Sequence, residues 1–245
     1  MAVFVFFVNS LCLATSYDIN FNNQKQLIDP SIAEDIEKHN AQRAKEFKYQ
    51  DTNDGRDISP LWTYPISKTL SSFPLYQQEA GNWCGPASIQ MMIGFNGKFV
   101  SQSVLASQSG IHPNGSNTLN LRNTLNHHVG TIHNFGVIRI GSSGAANLFN
   151  IINSNIFTKN QPVLALVRTQ ELSYYHGHPS NHYIVIKGMT KYIDDGTGQP
   201  VISLSQINIA DPNNNSQYFG EHIEGFNQVY DAVSFPWEQA YNIAY

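Results

Sequence analysis

The stretch "QQEAGNWCGPASIQMM", residues 77–92, sets a cysteine between a tryptophan and a Gly-Pro pair, with an apolar run behind it. Gly94 and Gly97 follow that run, so the spacing predicts a helix from Cys84 to Phe95. Pro suits the first turn of a helix, because its missing N–H has no intrahelical partner there. Cys84 therefore falls at the N-terminus of a helix. There the macrodipole carries about half a positive charge and favours a thiolate over a thiol. Gly85 is expected to leave space for a substrate carbonyl, and the helix-terminal amides to face a developing oxyanion. Trp83 reads first as a packing residue.

The chain has 245 residues, of which 41 % are apolar and 12 % aromatic, values of a globular protein with one sizeable core. Charged residues make up 13 % and the net charge is −4. Neither the basic footprint of a nucleic-acid binder nor a polybasic membrane patch is present.

Residues 1–16, "MAVFVFFVNSLCLATS", read as an export signal: an apolar run with small residues after it, too short for a transmembrane span. One departure is that no Lys or Arg follows Met1. A secreted or periplasmic location is expected. Removal of this segment would take away Cys12, and Cys84 would remain as an unpaired thiol, a pattern that points to reactivity or an intermolecular bond.

Residues 17–58 form a charged arm. The part from 31 to 58 holds 12 of the 32 charged side chains. Ser31 with Glu34 makes a capping box for an amphipathic helix, and "DTNDGRDISP" reads as turn chemistry. The arm is a structural appendage or a pro-segment.

From residue 59 to 245 helices crowd the first half and strands the second. Short helices are expected at 102–109 and 118–128, a strand at 135–141 and a helix at 145–155. Strands follow at 162–168, 182–189 and 201–211. The turn residues of "YIDDGTGQP" make the last two a hairpin. The fold class is α+β, a helical layer packed on an antiparallel sheet.

A cysteine nucleophile needs a base. His182 opens the strand "HYIVIKG" and is the best candidate. Asp211 closes the next strand, and the hairpin would bring the start of one strand beside the end of the other. Cys84, His182 and Asp211 then fit the logic of a nucleophile, a base and an orienting acid. A competing reading uses "HGHPSNH": His176, His178 and His182 as zinc ligands, a weak signal without a companion glutamate.

The elements "QEAGNWCGPAS", "HYIVIKG" and "IADP" resemble the papain-like cysteine peptidases of the bacteriocin-processing type, and especially the C39-like set. The resemblance covers about residues 70–240, a late aromatic helix "FPWEQAYN" included. It implies a papain-like fold, with the nucleophile on the helical layer. It also implies that Gln78, six residues before Cys84, is the oxyanion-hole glutamine, although Gln77 beside it offers a register one residue off. The function expected is hydrolysis of an amide bond in a peptide or protein. Deamidase or transglutaminase-type acyl transfer, or a catalytically silent papain-fold binding module, are the alternatives. No cofactor, nucleic-acid partner or stable membrane insertion is expected, and an exposed thiolate would need reducing conditions. The loop "TQELSYYHGHPSN" ahead of His182 is long enough to cover or shape the cleft.

Overall fold

A computed structural model of the chain describes residues 63–245, apart from 114, 131–132, 142 and 235–240. The export segment, Cys12 and the charged arm with its Ser31 cap lie outside the described residues.

In chain order the elements are β1 (Thr63–Thr69), α1 (Cys84–Phe95), α2 (Gln102–Gln108) and α3 (Thr118–Val129). Then come β2 (Val137–Ile138), α4 (Gly144–Asn153), β3 (Val163–Arg168) and β4 (Asn181–Asp194). The chain closes with β5 (Gln206–Asp211), β6 (Gly220–Gly225), α5 (Phe226–Ser234) and β7 (Ile243–Ala244). The expected helical layer on an antiparallel sheet is present.

Burial explains why these segments take these forms. Every residue of α1 from Cys84 to Ile93 is buried, so this is a core helix and not an amphipathic one. It packs against β4, α2 and α3. Asn117 caps α3 by accepting a 2.8 Å hydrogen bond from the Leu119 N–H. In β4 the run from His182 to Met189 is buried without a break, the pattern of a strand covered on both faces.

The sheet runs β2-β7-β3-β4-β5-β6, and every pairing is antiparallel. β4 is its axis. One edge pairs with β5. The other edge is shared: β3 covers Asn181–Ile186 and β1 covers Gly188–Asp194. Lys187 sits at the junction as the extra residue of a bulge in β4 against β5, and its carbonyl accepts from the Leu70 N–H at 2.8 Å.

Three expectations need correction. The strand expected at 135–141 shrinks to Val137–Ile138, which pairs with β7 at the other end of the domain. The segment expected as strand 201–211 begins with a single 3₁₀ turn, Ile202–Leu204, and only Gln206–Asp211 pairs in the sheet. The Ser205 carbonyl instead receives the N–H of Phe226, the first residue of α5. The helix expected at 145–155 ends at Asn153 and continues as a wider π turn, Ser154–Lys159. The late aromatic helix falls on residues outside the described set from 235 to 240. Its final residues Tyr241 and Asn242 are not helical, and the helix seen in this region, α5, precedes it.

At Gly188 the end of β1 lies close against β4. A β-carbon built there would lie 2.7 Å from Thr69 Oγ1 and 3.0 Å from the Lys68 carbonyl oxygen. Since backbone cannot yield as a side chain does, Gly188→Ala should lower the free energy of unfolding by about 1–3 kcal/mol. Chemical denaturation reads this directly, and an unchanged midpoint would show that the β1–β4 contact relaxes freely.

Candidate active site

The N-terminus of α1, the start of β4 and the end of β5 converge. Cys84 is the first residue of α1 and is 5 % exposed. It is a nearly enclosed thiol, not the exposed one expected. Among the described residues it is the only cysteine. Trp83 precedes it without a side-chain cap on the helix. His182 is the second residue of β4, opposite Val167 of β3, and Asp211 is the last of β5. Val185 pairs with Ala210, which places these two strand ends side by side.

His182 and Asp211 meet directly. The imidazole Nε2 lies 2.8 Å from Asp211 Oδ1, and both residues are buried. That bond leaves Nδ1 for the thiol, and the His182 ring is hydrogen-bonded to Cys84. Burial by itself resists charge on both partners, raising a thiol and lowering an imidazole. The partner charges outweigh it. For Cys84, the hydrogen bond and positive charge of His182, with backbone N–H groups of Tyr183 and Gly85, bring the thiol below its ordinary value. For His182, the charge and hydrogen bond of Asp211, aided by Cys84, push the imidazolium up to about 10. The arrangement favours a thiolate–imidazolium pair.

Asp211 is held by more than His182. Oδ1 also accepts the Asn213 N–H at 2.8 Å. Oδ2 accepts the hydroxyls of Tyr174 and Tyr175, each at 2.9 Å. Asn213 Nδ2 donates in turn to the Tyr175 oxygen at 2.9 Å. Sequence reading missed Tyr174, Tyr175 and Asn213, although it singled out the loop that carries the tyrosines. The Asn two residues after Asp211 was the available clue, since an Asp side chain commonly accepts the backbone N–H two residues on.

Gln78 is the inward-facing member of its pair. It is 4 % exposed and its backbone N–H donates to the Pro212 carbonyl at 2.7 Å. Gln77 is exposed and donates to the Asn214 carbonyl. Gln78 Nε2 donates to the carbonyls of Ala80 and Gly81, both at 3.0 Å, while Oε1 is buried without a partner.

Gly85 has a different task from the one expected. A β-carbon there would lie 2.8 Å from Leu121 Cδ1 and 2.9 Å from Ser116 Oγ. Its missing side chain lets α1 close against α3. The histidine triplet does not assemble either. His182 is engaged with Asp211 and Cys84, whereas His176 and His178 are exposed in the loop. Among the described residues no cluster of metal-ligating side chains forms.

The sequence matches the Peptidase_C39 like family over residues 70–238. The chain belongs to this family. It is therefore a cysteine peptidase-like hydrolase of papain-like α+β architecture. None of the curated proteins matches it. Among solved structures it is similar to a double-glycine-motif protease of an AMS/PCAT transporter, in complex with its leader peptide. The identity is 15 %, covering 74 % of this chain and 94 % of that one, with a TM-score of 0.44. It is also similar to a C39-like peptidase from Bacillus anthracis (14 % identity, 74 % and 97 % covered, TM-score 0.46). A third is the peptidase domain of Streptococcus ComA, a bifunctional ABC transporter of quorum sensing (17 % identity, 70 % and 95 % covered, TM-score 0.44). Among the described residues of this peptidase-family chain no helix is long and apolar enough to cross a membrane.

The raised imidazolium links the site to stability. An imidazole whose folded pKa lies above its unfolded value of about 6.5 stabilises fully below that value and loses the contribution as pH rises to the folded one. With Cys84→Ala removing the thiol, whose lowered pKa titrates with the opposite sign, the free energy of unfolding should therefore decline as pH rises from about 6.5 toward the raised imidazolium value. Adding Asp211→Asn to that variant, which keeps the shape and removes the charge, should give a flatter profile in urea titrations across this range. Parallel profiles would remove the ion pair as the cause.

Proposed function

We propose that the protein cleaves amide bonds in peptides or proteins, with Cys84 as nucleophile, His182 as acid and base, Asp211 as the orienting acid and Gln78 as an oxyanion donor. The observation that carries this reading is the buried chain Cys84–His182–Asp211, closed by the 2.8 Å bond between Nε2 and Oδ1.

In this reading the Cys84 thiolate attacks the carbonyl carbon of the scissile bond. The carbonyl oxygen takes the negative charge and faces the backbone N–H of Cys84, which as the first helical residue has no acceptor within the helix. The tetrahedral intermediate collapses as His182 gives its proton to the leaving amine, and a thioester remains. Water then attacks the thioester while His182 takes one of its protons. The carboxylic acid departs, and the proton left on His182 restores the ion pair. Asp211 holds the ring so that Nδ1 keeps facing the sulfur. For Gln78 to take part, one Nε2 hydrogen turns from the Ala80 or Gly81 carbonyl to the oxyanion.

The test is alkylation of Cys84 by iodoacetamide, read by intact mass from about pH 4 to about pH 9. Wild type should label fast well below the free-thiol value of about 8.5, and His182→Ala should not. A wild-type profile that follows an ordinary thiol, and is matched by the variant, would sink the assignment. With a cleavable peptide in hand, Cys84→Ala should abolish turnover. Gln78→Ala should lower kcat by about 10²–10³, the usual cost of one oxyanion donor. An unchanged kcat would remove Gln78 from the hole.

A further inference from the structure

Two adjacent tyrosines donate to one oxygen of a buried carboxylate. Neighbouring side chains usually diverge. Tyr174 and Tyr175 instead lie on a 3₁₀ turn, Ser173–Tyr175, with ring centroids 4.8 Å apart, and both hydroxyls reach Asp211 Oδ2. The turn is held for this purpose from β6. Glu224 is buried there, and its Oε1 accepts from the Ser173 N–H at 2.9 Å, the Ser173 hydroxyl at 2.7 Å and the Tyr174 N–H at 3.3 Å. His222, also on β6, stacks flat on Tyr174 at 3.7 Å, and Tyr218 stacks on Tyr175 at 4.4 Å. His176, in the left-handed region at φ +51°, ends the turn.

We propose that Tyr174 and Tyr175 are positioning residues for the Cys84–His182 pair, acting through Asp211, with Glu224 as the latch that sets their turn. The proposal rests on the Cys–His–Asp reading above. With Oδ2 occupied twice, only Oδ1 is left for His182, which fixes the ring. The same two donors bear on charge. Thiolate, imidazolium and carboxylate together carry one net negative charge in a site closed to water. Two phenol donors stabilise that charge without carrying any, because burial and then the Asp211 carboxylate keep both phenols protonated far above neutral pH. The titratable groups around Asp211 are Cys84 from α1, His182 from β4, Tyr174 and Tyr175 themselves, Tyr218 ahead of β6, and His222 and Glu224 on β6. Loss of the hydroxyls makes the negative state of the site less stable, so the thiolate captures a proton at higher pH.

The experiment is the Cys84 alkylation profile of full-length wild type, Tyr174→Phe, Tyr175→Phe, the double variant and His182→Ala. Phenylalanine keeps the rings and their stacking. Each single variant should move the acid limb upward by about half a pH unit to one unit, and the double variant further, with the labelling plateau retained. A merely structural role would lower unfolding stability and leave the limb in place. Tyrosine variants that coincide with a wild type still dependent on His182 would overturn the proposal alone. A wild type indifferent to His182 would instead remove the parent reading, and this proposal with it.

Discussion

A carboxylate with no exposed surface must find all its hydrogen bonds inside the protein, because leaving any of them unmade costs far more than an ordinary bond contributes. Asp211 meets this demand with four donors drawn from three places: the start of β4, the segment after β5 and the turn ahead of β4. Much of the second half of the domain can be understood from that requirement. The β4–β5 register brings the histidine to one oxygen. Glu224 on β6 and the rings of Tyr218 and His222 hold the tyrosine turn over the other. The anion so stabilised raises the imidazolium, and the imidazolium in turn lowers the thiol at the head of α1.

Much of this was legible in the chain. Cys84 before Gly-Pro announces a helix start, His182 opens an apolar strand, and Asp-Pro closes the next one, so local rules suffice to find three of the principal groups. Gln78 came from family resemblance, and burial separates it from Gln77. What stayed hidden depends on long-range pairing. Tyr174 and Tyr175 look like ordinary loop aromatics until β6 exists to turn them. β6 itself, with its mixed "GEHIEG" composition, carries no strong strand pattern. Residues 135–141 look like a whole strand, yet length of pairing is decided by the partner, and β7 offers only two residues. The helix α5 was readable, because Phe226, Val229, Tyr230 and Val233 fall at helical spacing.

The helical layer shows a similar division. α1 is buried on all sides, its Ser88 and Gln90 included, so periodicity alone could not say which face meets the sheet. Its depth follows from the absence of a side chain at Gly85, which admits Leu121 and Ser116 of the neighbouring segment. A glycine next to a nucleophile invites a reading in terms of substrate access. In this fold the space beside the Gly85 Cα is already filled from within the protein.

The shared edge of β4 has a mechanical consequence. The half of that strand bearing His182 is fastened to β3, whereas the half beyond Lys187 is fastened to β1, through which the chain upstream of Thr63 enters the sheet. Lys187 thus works as a coupling between two lengths of one rod. A pull or a loosening that arrives from upstream acts first on the far length, and β3 insulates the near one. The end bearing His182 can stay in register while the entry end is tugged, loaded or peeled.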